Sequence, residues 1–101
     1  MKQLSALEKQ RCLDQLRHNG WAYLEERDAI TKTYRFPDFT HAMTWMNAVA
    51  KLAEQMNHHP EWSNVYNRVT VILTTHSTRS LTTLDVQLAN GMDGLYQGGN
   101  L

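Results

Sequence analysis

Between positions 54 and 85 the chain sets two carboxylates and three histidines at fixed intervals: Glu54, His58-His59-Pro60, His76 and Asp85. Imidazoles titrate near neutrality, so three of them can supply both a proton donor and a proton acceptor without large pKa tuning. Glu54 stands four residues before His58, a separation at which a carboxylate can meet an imidazole across one helical turn, fixing its tautomer and raising its basicity. His76 falls at the end of a β-like run and Asp85 in a helix-start signal, both rigid supports of the kind that carry functional side chains. Two other readings fit the same spacing. His58 and His59 can be a solvated helix end, where cationic side chains suit the dipole. Glu54, His58 and His76 can be read as a metal set, although zinc-type spacing and a His-Glu-x-x-His pattern are absent. A serine nucleophile lacks its Gly-x-Ser-x-Gly turn, and His18 and His41, without partner patterns, read as structural.

The elements that must hold these residues are marked by local signals. Ser5-Ala6-Leu7-Glu8 forms a capping box that opens a helix over residues 6–18, and Asn19-Gly20 supplies its left-handed stop. Residues 21–25 and 30–36 are rich in aromatic and β-branched side chains, predicting a hairpin that turns at Arg27-Asp28. Pro37 ends the second strand and Asp38 caps the next helix. In that helix Phe39, Ala42, Met46, Val49, Ala53 and Met56 share one face. A second line, His41, Trp45, Ala48 and Leu52, either widens the core or meets another subunit. Pro60 bars a regular helix; a short strand follows over 62–66, a turn near Asn67, and a strand in which Val69, Val71 and Leu73 face the core. Thr82-Thr83-Leu84-Asp85 is a second capping box, opening a last helix towards Ala89 that Asn90-Gly91 weakens, with residues 97–100 as a frayed tail. The order α-β-β-α-β-β-α predicts an α+β fold of two layers, with helices on one face of a four-stranded antiparallel sheet.

The chain's 101 residues suit a single domain over 1–101. Ten Lys and Arg balance ten Asp and Glu, which argues against a nucleic-acid binder relying on a broad basic face. One cysteine, Cys12, rules out an intrachain disulfide, suits a reducing compartment and reads as a small buried apolar residue. The first residues are polar and charged, and no run nears the roughly 18 apolar residues of a membrane span. The expectation is a soluble, cytoplasmic protein without membrane or nucleic-acid partners.

Glu54, three residues, His58-His59-Pro60, five residues, Tyr66, nine residues, His76, eight residues and Asp85 together resemble the signature of the pterin-4a-carbinolamine dehydratases. Gly20-Trp21, Arg27-Asp28-Ala29-Ile30, the Phe36/Asp38-Phe39 stretch and the run from Pro60 through Trp62 and Tyr66 to Asn67 also match that family's pattern, so the likeness covers roughly residues 13–90. Asn57, where an acidic residue is common, and the tail after Asn90 depart from it.

The resemblance implies dehydration of 4a-hydroxytetrahydropterin, the product of aromatic amino-acid hydroxylases, to quinonoid dihydropterin and water during tetrahydropterin recycling. It implies His58 and His76 as the acid/base pair and His59 mainly as a pterin holder. Glu54 and Asp85 would orient imidazoles, and Trp21 would wall the pocket. No cofactor or metal is implied, because the pterin is itself the substrate. It also implies a homodimer formed by joining sheets, or a homotetramer formed by packing helices, with the Trp45 line in a self-contact. The alternative is an interaction module, like the relatives that serve as dimerisation cofactors of a homeodomain transcription factor, using the second helix.

Overall fold

The computed structural model of the chain describes residues 3–96. Ser5 Oγ accepts from the Glu8 amide and Glu8 Oε1 from the Ser5 amide, opening helix α1 (Ala6–His18), which buries Leu13 and Leu16. Asn19 caps it, and Gly20 follows at φ +94°, where a side chain would be strained. Strand β1 (Ala22–Leu24) is shorter than its apolar run because residues 25–27 wind into one 3₁₀ turn, closed by Asp28 at φ 49°. Strand β2 (Ala29–Arg35) follows. Asp38 caps helix α2 (Phe39–Met56) through the His41 amide, and Asn57, left-handed at φ 50°, ends it. Strands β3 (Glu61–Val65) and β4 (Arg68–Leu73) form a hairpin whose turn contains Tyr66 at φ 51°. Helix α3 (Thr83–Leu95) starts at Thr82 with the expected capping box.

The sheet order is β1-β2-β4-β3, antiparallel throughout. Register puts Ile30 opposite Leu73, Tyr34 opposite Val69 and Trp62 opposite Val71 on the face that meets the helices. There they join Trp45, Val49, Leu88 and Met92 in one core, while Thr33, Arg35, Arg68 and Thr70 on the other face are exposed. This is the α+β, two-layer arrangement the element order predicts.

Three expectations are corrected. Trp45 is fully buried and its Nε1 donates to the Met92 carbonyl at 3.2 Å, so it belongs to the core and not to a subunit contact. Phe39, assigned by period to the core face, is 47% exposed at the first position of the helix. The last helix, expected to run towards Ala89 and to be weakened by Asn90-Gly91, continues through both residues to Leu95. At Gly91 the helices cross so closely that a Cβ would stand 2.3 Å from Leu52 Cδ2. Gly91 thus trades about 1 kcal/mol of helix propensity for a tight α2–α3 approach. Cys12 is half-buried, and the tail at 97–100 lies outside the described residues. Among the described residues no helix is long and apolar enough to cross a membrane.

Candidate active site

Asn57 decides how the two adjacent histidines face. Its left-handed backbone turns the chain, the His58 amide returns to the Ala53 carbonyl at 3.0 Å, and the His58 side chain swings inward to 7% exposure. There His58 Nε2 meets Asp85 Oδ1 at 2.6 Å. Asp85 is fully buried at the third position of α3, where the capping box itself holds it. Its Oδ2 accepts from the Thr82 amide and the Thr75 hydroxyl, each at 2.9 Å, leaving Oδ1 for the imidazole. Thr75 and Thr82 are bonded to each other at 2.7 Å, so this carboxylate is satisfied and immobile.

The Glu54–His58 pair suggested by helical spacing does not form. The helix ends before position 58, so the four-residue rule lapses there, and Glu54 Oε2 instead takes Nε2 of the outward-facing His59. His76 lies just beyond β4, exposed, with Nε2 3.0 Å from Glu61 Oε2. Glu61 opens β3 opposite Ile72, which brings it to the sheet end that His76 leaves. Both its oxygens are taken by Arg27: Nη1 at 3.0 Å from Oε1 and Nη2 at 2.6 Å from Oε2. The Arg27 guanidinium, with help from His76, holds the Glu61 carboxyl down at about 2, against an ordinary value of 4.5. Arg27 sits in the 3₁₀ turn beside Asp28. Burial pushes the Asp28 carboxyl up, but bonds from Tyr23, Lys9 and the Leu81 amide outweigh it and keep it below the ordinary range.

The three imidazoles converge. His58, His59 and His76, with Asn57, Thr74 and Thr75, line one cleft of about 190 Å³. A neighbouring cleft of about 500 Å³, edged by Arg27, Asp28 and Arg79, shares Thr74 and His76 with it. All three rings spend the same atom, Nε2, on a carboxylate: Asp85, Glu54 and Glu61. A carboxylate only accepts, so in the neutral ring the proton sits on Nε2 and the lone pair on Nδ1. Such a set can give a proton to one atom of a bound molecule and take one from another.

Trp21 is not a wall of this pocket. It is 3% exposed, its indole donates to Asp93 Oδ2 at 3.0 Å, and it lines neither cleft. It sits just before β1, edge-on to Tyr34 and bonded to Asp93 of α3. Among the described residues no group of three His, Cys, Asp or Glu side chains is placed to hold a metal ion. His41 serves the α2 cap, its Nδ1 2.6 Å from Asp38 Oδ1. The sequence does not mark Glu61 and Arg27 as neighbours of these histidines. Both stand in stretches that carry the family pattern, but nothing in the spacing says that positions 27, 61 and 76 meet.

The family model described as pterin 4 alpha carbinolamine dehydratase matches residues 2–95. A protein of Ruegeria pomeroyi, provisionally named a pterin-4-alpha-carbinolamine dehydratase, is 57% identical over 77 residues, covering 76% of this chain and 79% of its own length. One from Roseobacter denitrificans with the same name is 53% identical over 83 residues, or 82% and 85% of the two chains. The crystal structure of a Brucella melitensis protein described as a transcriptional coactivator/pterin dehydratase superposes with a TM-score of 0.86 at 39% identity, over 95% of this chain and 100% of that one. A pterin dehydratase-like protein described as a RuBisCO assembly factor in the alpha-carboxysome shares the fold, with a TM-score of 0.68 at 20% identity over 83% and 95%.

Proposed function

The chain belongs to the pterin 4 alpha carbinolamine dehydratase family, and on that premise we propose that it removes water from 4a-hydroxytetrahydropterins, yielding quinonoid dihydropterins for tetrahydropterin recycling. The observation that carries this reading is the meeting of three imidazoles at one cleft, each backed by a carboxylate on Nε2. Hydroxide is a poor leaving group, so one imidazolium donates a proton to the 4a oxygen as the C4a–O bond breaks. A second, neutral imidazole takes the proton from N5, and the electron pair of that N–H bond forms the C4a=N5 double bond. One proton is given and one taken, and water leaves; the two rings then re-equilibrate with solvent. His58 and His76 make this pair and His59 holds the pterin.

Authentic 4a-carbinolamine decays spontaneously, and the test is its decay with enzyme. Wild type accelerates it, and the His58→Ala/His76→Ala double variant loses about 10²–10⁴-fold of that acceleration. No acceleration by wild type, or full activity in the double variant, removes the reading.

A partner-binding role is the second reading, supported by the description of the Brucella relative as a coactivator. Trp45 would not belong to its surface, being fully buried, whereas His41, Ala48 and Leu52 of the same line are half-buried. Self-association as a homodimer or homotetramer belongs with it: β3 is a sheet edge, and Val65 and Tyr66 at its end are 59% and 62% exposed. Sedimentation mass of wild type against Val65→Lys tests that edge.

A further inference from the structure

We propose that Glu61, clamped by Arg27, is the positioning residue for His76: it holds the ring with its proton on Nε2 and turns Nδ1 towards the substrate. The proposal rests on the dehydratase reading and adds to it a residue pair outside the histidine signature. His76 needs such a holder more than the other candidates do. Its side chain is 69% exposed on a loop beyond β4, where an unheld imidazole samples several rotamers and both tautomers.

Glu61 can fix it because Glu61 is itself fixed. Its backbone is paired with Ile72 in the sheet. Its carboxylate plane is set by two parallel bonds from one guanidinium, at 3.0 and 2.6 Å, a geometry that a single point charge would not impose. The guanidinium is held in turn by the anchored turn at Asp28, which accepts from Tyr23 at 2.6 Å and Lys9 at 3.0 Å. Oε2 keeps a lone pair for His76 Nε2 at 3.0 Å.

The three imidazoles then divide by the rigidity of their carboxylates. Asp85 under His58 is immobilised by Thr75 and the Thr82 amide, and Glu61 beside His76 by Arg27. Glu54, beside His59, is 76% exposed and has the imidazole as its side-chain partner among the described residues. Proton transfer demands a defined lone-pair direction, and misplacement by about 1 Å can cost about 10²-fold in rate, whereas a binding contact tolerates looseness. The two rings assigned to acid/base work are those with immobilised carboxylates. An exposed ion pair adds little to stability, so an arrangement of this kind is better explained by orientation.

The experiment uses the full chain in two readouts. In NMR, the His76 ring nitrogens, assigned by their loss in His76→Ala, report one tautomer with the proton on Nε2 in wild type. In Glu61→Ala and Arg27→Ala both tautomers are populated, while the His58 signals stay unchanged. In kinetics, Glu61→Ala lowers kcat about 10- to 100-fold with KM nearly constant, Arg27→Ala lowers it less, and Arg27→Lys restores little because it cannot form the fork. Glu61→Ala placed on His76→Ala adds no further loss, which a general structural effect would not give. Unchanged His76 nitrogens in Glu61→Ala, or additive losses in the Glu61/His76 cycle, overturn the proposal. If wild type proves inactive while the tautomer responds as described, the positioning stands and the dehydratase reading falls.

Discussion

At the start of α3, Asp85 receives hydrogen bonds from the Thr82 amide, the Thr75 hydroxyl and the His58 ring. Two turns later Asp93 receives them from the Trp21 indole at 3.0 Å, the Tyr34 hydroxyl at 2.5 Å and the Lys32 ammonium at 2.7 Å. The same helix thus offers a well-bonded carboxylate at each end, and their partners separate them. Around Asp93 the partners are an indole, a hydroxyl and an ammonium, and burial, then Asp93 itself, pushes the Tyr34 hydroxyl far above the usual tyrosine range. Lys32 also sits 4.7 Å from the Tyr34 ring centre, a cation–π contact that adds to the hold. This cluster ties α3 to β2. Around Asp85 one partner is an imidazole, and that imidazole lines a cleft. A satisfied inward carboxylate is therefore no mark of function; a titratable partner reaching open space is.

The widest expected contrast comes from matched substitutions. Asp85→Asn disturbs the His58 tautomer and lowers dehydratase turnover about 10²-fold, measured as carbinolamine decay per folded molecule. Asp93→Asn leaves that turnover within a factor of about two but costs about 2–3 kcal/mol of stability in urea unfolding, because Lys32 loses its partner. Equal losses of turnover in both would erase the distinction.

Gly91 lies between the two carboxylates on α3, so Gly91→Ala probes whether they respond together. The added methyl meets Leu52 and costs about 1–3 kcal/mol through forced helix separation, and Leu52→Ala in the same chain recovers part of it, both read by thermal unfolding. The smallest effect concerns the half-buried Glu61. Its folded-state pKa, about 2, lies below the ordinary 4.5, so its contribution is present above pH 4.5 and lost as pH falls towards 2. The stability difference between wild type and Glu61→Gln should be at most about 1 kcal/mol at pH 6, given solvent screening, and vanish only below about pH 2. A difference that grows on acidification would contradict the ion pair.

Local signals were legible where the controlling interactions are local. Ser5 with Glu8, Asp38, and Thr82 with Asp85 announce their helices because each cap bonds within three residues of itself. The grouping of Glu54, His58, His59, His76 and Asp85 is implied by a family resemblance; in the fold the three imidazoles line one cleft, with Asp85 bonded to His58 and Glu54 to His59. Other features depended on distant packing. Trp45 reads equally as core or contact until α3 is laid over it. Asn90-Gly91 reads as a weak point in the last helix until Leu52 is seen to need the space beside Gly91. Trp21 carries the family pattern, yet its indole is committed to Asp93, seventy-two positions away.

By itself the sequence determined which side chains could move protons, where helices begin, and that a two-layer α+β fold would carry them. Only the tertiary structure decided which carboxylate serves which histidine: Asp85 to His58, Glu54 to His59, Glu61 to His76. Helical spacing predicts neighbours only while the helix lasts. Once Asn57 turns left-handed, partners are chosen by the direction of that turn and the register of β3 against β4. Those depend on how the whole core closes, and no local spacing encodes them.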